Sequence, residues 1–379
     1  MFNVENIYRN EKRIIFHIDF DYFFAQCEEI RNPSIKDMAV VICVFSGRTK
    51  ESGVVSTANY IARKYGIKSG IPIKFAKAKL KNFDKKIFLP MDIKYYKVIS
   101  NQALEIVMSM TLVKNYEVIG LDECYLDLTS TVDNYKNAKI LARDIKNRLS
   151  SELSLSCSIG ISFNKLLAKI ASEYKKPDGL FLIEPYETQK IISDLDVSII
   201  PSIGPKNKRK LYEFGIKTFK QLSEIDIEFL KKNFGNYYAE FLHKSSLGIN
   251  HDSVQLKQQS KQISRIKTLK EYTMDVNIVK SLISDLCKSI YNELVQKELF
   301  FKSVGLIFID NKLGIVNRSK NLKSYTQNLN DLIEQTNSIL LEYISSNDLF
   351  KVRRIGVKVY EIKKNKGQNT LFNYIESGN

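Results

Sequence analysis

The 379-residue sequence predicts an α+β fold divided among several domains. Three observations point there. In the first half, short apolar runs alternate with amphipathic stretches, the pattern of a mixed β-sheet carrying helices. Between about Glu184 and Asn250, short helical segments separated by glycine turns take over. Beyond a polar, Gln- and Lys-rich stretch at 251–262, the order strand, helix, strand, strand, helix, strand spells a split βαβ unit. A chain of this length is expected to form more than one core.

The apolar run Ile14 to Ile18 is a short buried strand that stops at Asp19-Phe20-Asp21. A helix follows and ends before Asn32-Pro33, because a residue preceding proline is pushed out of the helical region. Ala39 to Phe45 is a second strand, and Gly47 and Gly53 bracket a polar turn. A helix then covers Ala58 to Tyr65, with Gly66 as its C-cap. Tyr116 to Thr129 reads as a hairpin with Gly120-Leu121-Asp122-Glu123 at its tip, and Asn134 to Leu153 as a helix. Leu155, Cys157, Ile159 and Ile161 alternate with Ser154, Ser156, Ser158 and Gly160, which is strand periodicity. Phe163, Leu166, Leu167, Ile170, Ala171 and Tyr174 form one helical stripe, which Pro177 stops. In the last third, strands are expected at 263–272, 304–310, 315–321 and 353–362, and helices at 276–298 and 329–346. The segment 363–379 reads as a mobile basic tail.

Composition narrows the function class. Lys and Arg number 58 against 42 Asp and Glu, a formal charge of +16. Such an excess suits a polyanionic partner, either nucleic acid or an acidic membrane surface. With 21 Phe, 20 Tyr and 44% hydrophobic residues, global disorder is excluded. The five cysteines are scattered without a CxxC, and only His17, His243 and His251 offer imidazoles. That argues against a zinc or disulfide framework and for a reducing, cytoplasmic setting. Met1 to Arg13 has no apolar leader, and no run approaches the roughly 18 apolar residues of a membrane span.

Asp19 stands where a buried strand ends, and Asp122-Glu123 stand at a hairpin tip. Three carboxylates on adjacent strand ends can converge on hard cations. Mg²⁺ accepts one or two carboxylates plus water and substrate phosphates. Two such ions about 3.5–4 Å apart stabilise both the attacking and the leaving oxygen of an in-line phosphoryl displacement. Neighbouring strand residues face opposite ways, so Asp122 and Glu123 share a site only if the turn distorts the backbone, which Gly120 permits. Tyr60 and Arg63 lie three apart on one helix face, where a phenol and a planar guanidinium suit a triphosphate tail.

The words around these residues resemble a known family. Asp19-Phe20-Asp21-Tyr22-Phe23-Phe24-Ala25 and the stretch Ser56 to Gly66 resemble the opening motifs of Y-family DNA polymerases. Leu121 to Asp127 is similar to that family's second acidic motif. Ser158 to Lys165, continuing to Lys176-Pro177-Asp178-Gly179, is similar to its third. Order and spacing agree from about Arg13 to Ile362, and the resemblance is to the archaeal branch related to DNA polymerase IV. Two positions depart from the family pattern: Gly120 stands where Ser is usual, and Cys124 where Ala is usual.

The resemblance implies a translesion DNA polymerase without proofreading and of modest fidelity. It implies a palm at 1–22 and 92–183, fingers at 23–91, a thumb at 184–250, a linker at 251–262, a little finger at 263–362 and a flexible tail at 363–379. Asp19, Asp122 and Glu123, with the carbonyl of Phe20, would hold two Mg²⁺ ions. Tyr22, Phe23, Phe24, Thr57, Tyr60, Arg63 and Lys176 would surround the incoming deoxynucleoside triphosphate, Phe24 taking the place of the steric gate against a ribose hydroxyl.

Pro201-Ser202-Ile203-Gly204-Pro205, followed by Lys206, resembles a helix-hairpin-helix whose amides form an anion site for primer–template DNA. Arg354 and Lys358 alternate with apolar residues, as on a strand laid along a duplex, and Arg265 and Lys267 are expected to extend that face. Gln368, Leu371, Tyr374 and Ile375 resemble a sliding-clamp docking box. A monomer with no membrane association is expected. The rival readings are a nucleotidyl cyclase, which has no need of the helix-hairpin-helix or the basic sheet, and a non-catalytic DNA-binding protein, which has no need of three carboxylates.

Overall fold

The structure, a computed structural model, describes residues 12–49, 51–255, 261–346 and 351–364. Contacts divide the chain into two units, 1–44 with 54–257 and 45–53 with 258–379.

In the first unit the chain runs β1 (Ile15–Phe20), α1 (Phe23–Arg31), β2 (Ala39–Phe45), β3 (Gly53–Ala58), α2 (Tyr60–Lys64), α3 (Ile73–Lys79), β4 (Lys86–Pro90) and α4 (Ile93–Thr111). It continues through β5 (Tyr116–Ile119), β6 (Glu123–Asp127), α5 (Tyr135–Leu153), β7 (Cys157–Ser162), α6 (Lys165–Tyr174) and β8 (Leu180–Leu182). Short helices follow: α7 (Thr188–Ile192), α8 (Pro205–Glu213), α9 (Phe219–Ser223), α10 (Ile227–Phe234) and α11 (Asn236–Ser246).

The main sheet has the order β5-β6-β1-β7-β8, antiparallel except for β7 with β8. Because β1 alternates, Phe16, Ile18 and Phe20 join the core with Ala103 of α4 and Ala142, Ile145 and Leu149 of α5. Ile15, His17 and Asp19 take the opposite face, where Ile15 packs with Ala168 of α6. Both faces are therefore covered, which is why the strand reads as one apolar run. Gly160 brings α6 down onto the sheet: a Cβ there would stand 2.0 Å from the Ala168 carbonyl oxygen. The strands β3, β2 and β4 form a separate small sheet. Asn59 ties it to α1, since its amide donates to Glu29 (2.8 Å) and its oxygen accepts from Val40 and Ala62.

The second unit carries β9 (Gln262–Thr273), α12 (Val276–Gln296), β10 (Leu299–Asp310), β11 (Ile315–Thr326), α13 (Leu329–Ser345), β12 (Val352–Tyr360) and β13 (Lys363–Lys364). Its sheet order β11-β10-β12-β9 is antiparallel throughout. β9 and β10 thus run parallel with β12 between them, and β11 and β12 run parallel with β10 between them. The expected split βαβ arrangement is present twice, interlocked.

Two expectations need correction. The stretch 251–262 is not all linker: Val254 is buried against Ile15, Tyr125 and Ala168, and Gln262 already pairs in β9. Nor does the tail begin at 363, because Lys363–Lys364 pairs with Leu299 and Phe300, the start of β10 that β12 leaves unpaired. The proposed docking box, Gln368 to Ile375, lies outside the described residues.

Candidate active site

The end of β1 gathers the predicted carboxylates. Asp19 lies opposite Glu123 of β6 and Ser158 of β7, so all three share one face. Asp122 is in the preceding turn, where Gly120 adopts a φ of 68°, the left-handed region that favours glycine. The β1–β6 pairing continues one step beyond Glu123, where the Phe20 N–H donates to the Asp122 carbonyl at 2.7 Å. Gly120, where the family usually has Ser, therefore suits the turn it occupies. Cys124 pairs with Ile18 on the opposite, core-facing side of the sheet, away from the carboxylates.

Cations hold these carboxylates. Lys176 Nζ stands 2.7 Å from Asp19 Oδ2, and Lys169 Nζ contacts Glu123 Oε2. His17 Nε2 lies 3.1 Å from that same Oε2, and its Nδ1 lies 2.7 Å from Ser172 Oγ. Burial outweighs Lys176 and pushes the Asp19 carboxyl up to about 6. Burial and then the neighbouring Glu123 raise Asp122 as well. Burial opposes ionisation of Glu123 too, but hydrogen bonds from His17 and Lys169 hold it down at about 2. Burial lowers His17 to about 4, so the ring is neutral near pH 7.

Sequence reasoning assigned no role to His17, Lys169 or Asp21. Asp21 accepts from Ser158 Oγ (2.8 Å), Ser156 Oγ (3.2 Å) and the Asp178 N–H (2.8 Å), which anchors the loop carrying Lys176.

Around this cluster, Tyr22 adopts a φ of 39° at the start of α1 and meets Tyr60 edge-on at 5.3 Å. The Tyr60 hydroxyl is buried with no partner among the described residues. Arg63 lies over the Tyr60 ring at 4.8 Å and is exposed. Phe23 is core, whereas Phe24 is half-buried and stacks on Tyr96 at 4.8 Å and 14°. Thr57 is half-buried in β3.

The predicted DNA contacts divide. Ile203 is buried beneath the hairpin, Gly204 caps α8, and Lys206 is exposed at its first turn. In the second unit Lys358 lies opposite Gly305 and Ser264, and a Cβ on Gly305 would come 2.5 Å from Lys358 Cε. Lys358 and Arg354 thus share the face that the helices leave open, floored by small residues. Arg265 and Lys267 do not extend it. They lie opposite Val357 and Ile355, on the helix-covered face, and Arg265 pairs with Glu293 of α12. Alternation gave the parity of each strand, but the register decides which parity meets the helices.

The carboxylate oxygens of this cluster fit a hard cation. Ligand atoms of His17, Asp19 and Glu123 lie within 4.8 Å of one another. Each described contact to Asp19 and Glu123 falls on a single carboxylate oxygen, leaving Oδ1 and Oε1 for a metal. Asp122, with its carboxylate turned toward Gly120, is not in that group.

A mixed sheet with clustered carboxylates and a separate basic sheet defines a nucleotidyl-transferring enzyme that handles nucleic acid. The chain belongs to the impB/mucB/samB family of Y-family DNA polymerases, whose profile matches residues 18–173 and whose C-terminal-domain profile matches 260–371. It is a DinB-like member, and so a DNA-directed DNA polymerase of the translesion type. DNA polymerase IV of Nitrosopumilus maritimus is 40% identical over 365 residues, 96% of this chain and 100% of that protein. DNA polymerase IV 1 of Methanosarcina mazei is 36% identical over 367 residues, 96% and 100%. A solved Y-family DNA polymerase chimera matches with a TM-score of 0.85 and 34% identity, over 93% of this chain and 100% of that one. DinB from Sulfolobus solfataricus matches at 0.63 and 32% over the same shares. Family membership implies use of a divalent metal. No helix among the described residues is long and apolar enough to cross a membrane.

Proposed function

We propose that the chain extends a DNA primer with deoxynucleotides opposite intact and damaged templates, using two Mg²⁺ ions held by Asp19, Asp122, Glu123 and the Phe20 carbonyl. The observation that carries this reading is the pair of carboxylates, Asp19 and Glu123, each tied by an ammonium at one oxygen only. Bound there, the ions would make the primer 3′-hydroxyl more acidic and offset the charge of the triphosphate. Lys176 would leave Asp19 for a phosphate oxygen, and Arg63 with the Tyr60 hydroxyl, which has no partner among the described residues, would offer further donors to the same tail. Tyr22 and Thr57 would complete the walls, whereas the Phe23 side chain, buried in the core, would only back them, contrary to its expected place beside the nucleotide. The five free cysteines fit a cytoplasmic setting.

Primer extension with Mg²⁺ and deoxynucleotides on intact and lesion-bearing templates tests the reading. Extension past the lesion, abolished by a chelator, is expected. Extension that persists in the presence of the chelator would contradict the metal reading.

Duplex DNA would lie along Arg354 and Lys358, with Ile203, Gly204 and Lys206 holding a further phosphate. Arg353 and Arg354 each keep a buried Nε–H without an acceptor among the described residues. Affinity should fall with salt by about 0.9 log units per log unit for each phosphate neutralised. Replacing Arg354 and Lys358 together by Ala flattens that slope by up to about 1.8. Arg265→Ala leaves it unchanged, since that charge serves Glu293. A slope insensitive to the double replacement contradicts this path.

The tail is proposed to dock on a sliding clamp through Gln368, Leu371, Tyr374 and Ile375. Deleting residues after Lys366 should remove stimulation by the cognate clamp and leave unaided synthesis intact. Equal stimulation of both forms would show that the docking element lies elsewhere.

A further inference from the structure

We propose that His17 is a positioning residue: with Ser172 behind it, its Nε2–H pins one oxygen of Glu123 and leaves Oε1 alone to face the metal. This deepens the proposed function, since it rests on Glu123 being a ligand.

His17 stands two residues before Asp19 on the same face of β1, between Tyr125 and Gly160 in register. The ring is fully buried, 4.5 Å from Tyr125 and beneath α6, which Gly160 allows onto the sheet. Burying an imidazole is costly unless both nitrogens are paired, and both are. Ser172 Oγ has two acceptors within reach, His17 Nδ1 at 2.7 Å and the Lys169 carbonyl at 2.8 Å. The tautomer follows from the neighbours. A bare Nε2 lone pair 3.1 Å from a carboxylate would set two acceptors face to face, so the proton belongs on Nε2 and Ser172 donates to Nδ1. Lys169 reaches the same Oε2 from α6. Two donors on one oxygen resist rotation of the carboxylate and fix the direction of the other. Partners that orient a metal ligand in this way are typically worth about 10–100-fold in metal affinity. A histidine that merely filled the core would leave metal affinity alone.

The test uses the full chain with dideoxy-terminated primer–template and an incoming deoxynucleotide. Free Mn²⁺ is measured by electron paramagnetic resonance, and thermal melting is followed on the same samples. His17→Leu is expected to weaken Mn²⁺ binding about tenfold or more. His17→Gln, which keeps an N–H at similar reach, recovers most of it, and Ser172→Ala gives an intermediate loss at near-native melting. Wild-type Mn²⁺ affinity in His17→Leu overturns the proposal, as does an equal loss in His17→Gln. If His17→Leu fails to fold, an unchanged affinity in Ser172→Ala decides against it. Glu123→Gln separates the two layers. Retained Mn²⁺ binding there refutes Glu123 as a ligand, whereas its loss beside a normal His17→Leu refutes only the role of His17.

Discussion

Asp122→Ala is expected to lower nucleotide addition by about 10³-fold or more, some 4 kcal/mol of transition-state stabilisation, while duplex affinity stays nearly unchanged. The two effects separate because affinity comes mainly from phosphate contacts, proposed here along Arg354 and Lys358, whereas Asp122 touches only the reacting end. Asp122 is also the most informative of the three carboxylates. Its carboxylate is coupled by charge to both Asp19 and Glu123 but pairs with no ammonium among the described residues, so replacing it frees no lysine to act elsewhere. Single-turnover extension and a gel shift on one preparation read both quantities. Extension near the wild-type rate would remove Asp122 from the metal site.

Phe24→Ala should raise ribonucleotide incorporation relative to deoxynucleotide by roughly 10–200-fold, the range over which a methylene-sized change of fit discriminates. The ring can act as a wall because it is not free to tilt: Tyr96 stacks beneath it, and the Tyr96 hydroxyl donates to Glu28 at 2.9 Å. A clash with the 2′-hydroxyl therefore cannot be relieved by rotating Phe24 alone. Incorporation efficiencies for both sugars on one template give the ratio. An unchanged ratio would reduce Phe24 to a packing residue.

Much of the fold was legible in the sequence because period and punctuation agreed. The alternation at 155–161 became β7, the stripe from Leu166 to Tyr174 became α6, and every element expected between 263 and 362 is present within a few residues. The regions left unread had weaker patterns. Helix α4 carries apolar residues on several sides, with Val98 half-exposed, so no single stripe announces it. In β3 the apolar pair Val54-Val55 gives way to Ser56 and Thr57, which hides a short strand.

At the site, the carboxylates could be found from their motifs, and one further signal went unused. His17 shares the parity of Asp19, so strand periodicity alone places it on the face that carries Asp19. Lys169 sits four residues after Lys165 on α6, one turn along the same helix. What no pattern could supply was register. Arg265 and Lys267 have the right charge, but pairing with Val357 and Ile355 turns them to the covered face.

The carboxylates at the ends of β1 and β6 are proposed to hold the catalytic metal ions, with Lys176 yielding Asp19 to them. Anomalous scattering from Mn²⁺ in crystals of the chain with dideoxy-terminated primer–template and an incoming deoxynucleotide tests it most directly. The expected result is two metal peaks ligated by Asp19, Asp122 and Glu123, with Lys176 moved from Asp19 to the triphosphate. Nucleotide bound with no metal at these carboxylates, or with Lys176 still paired to Asp19, would contradict it.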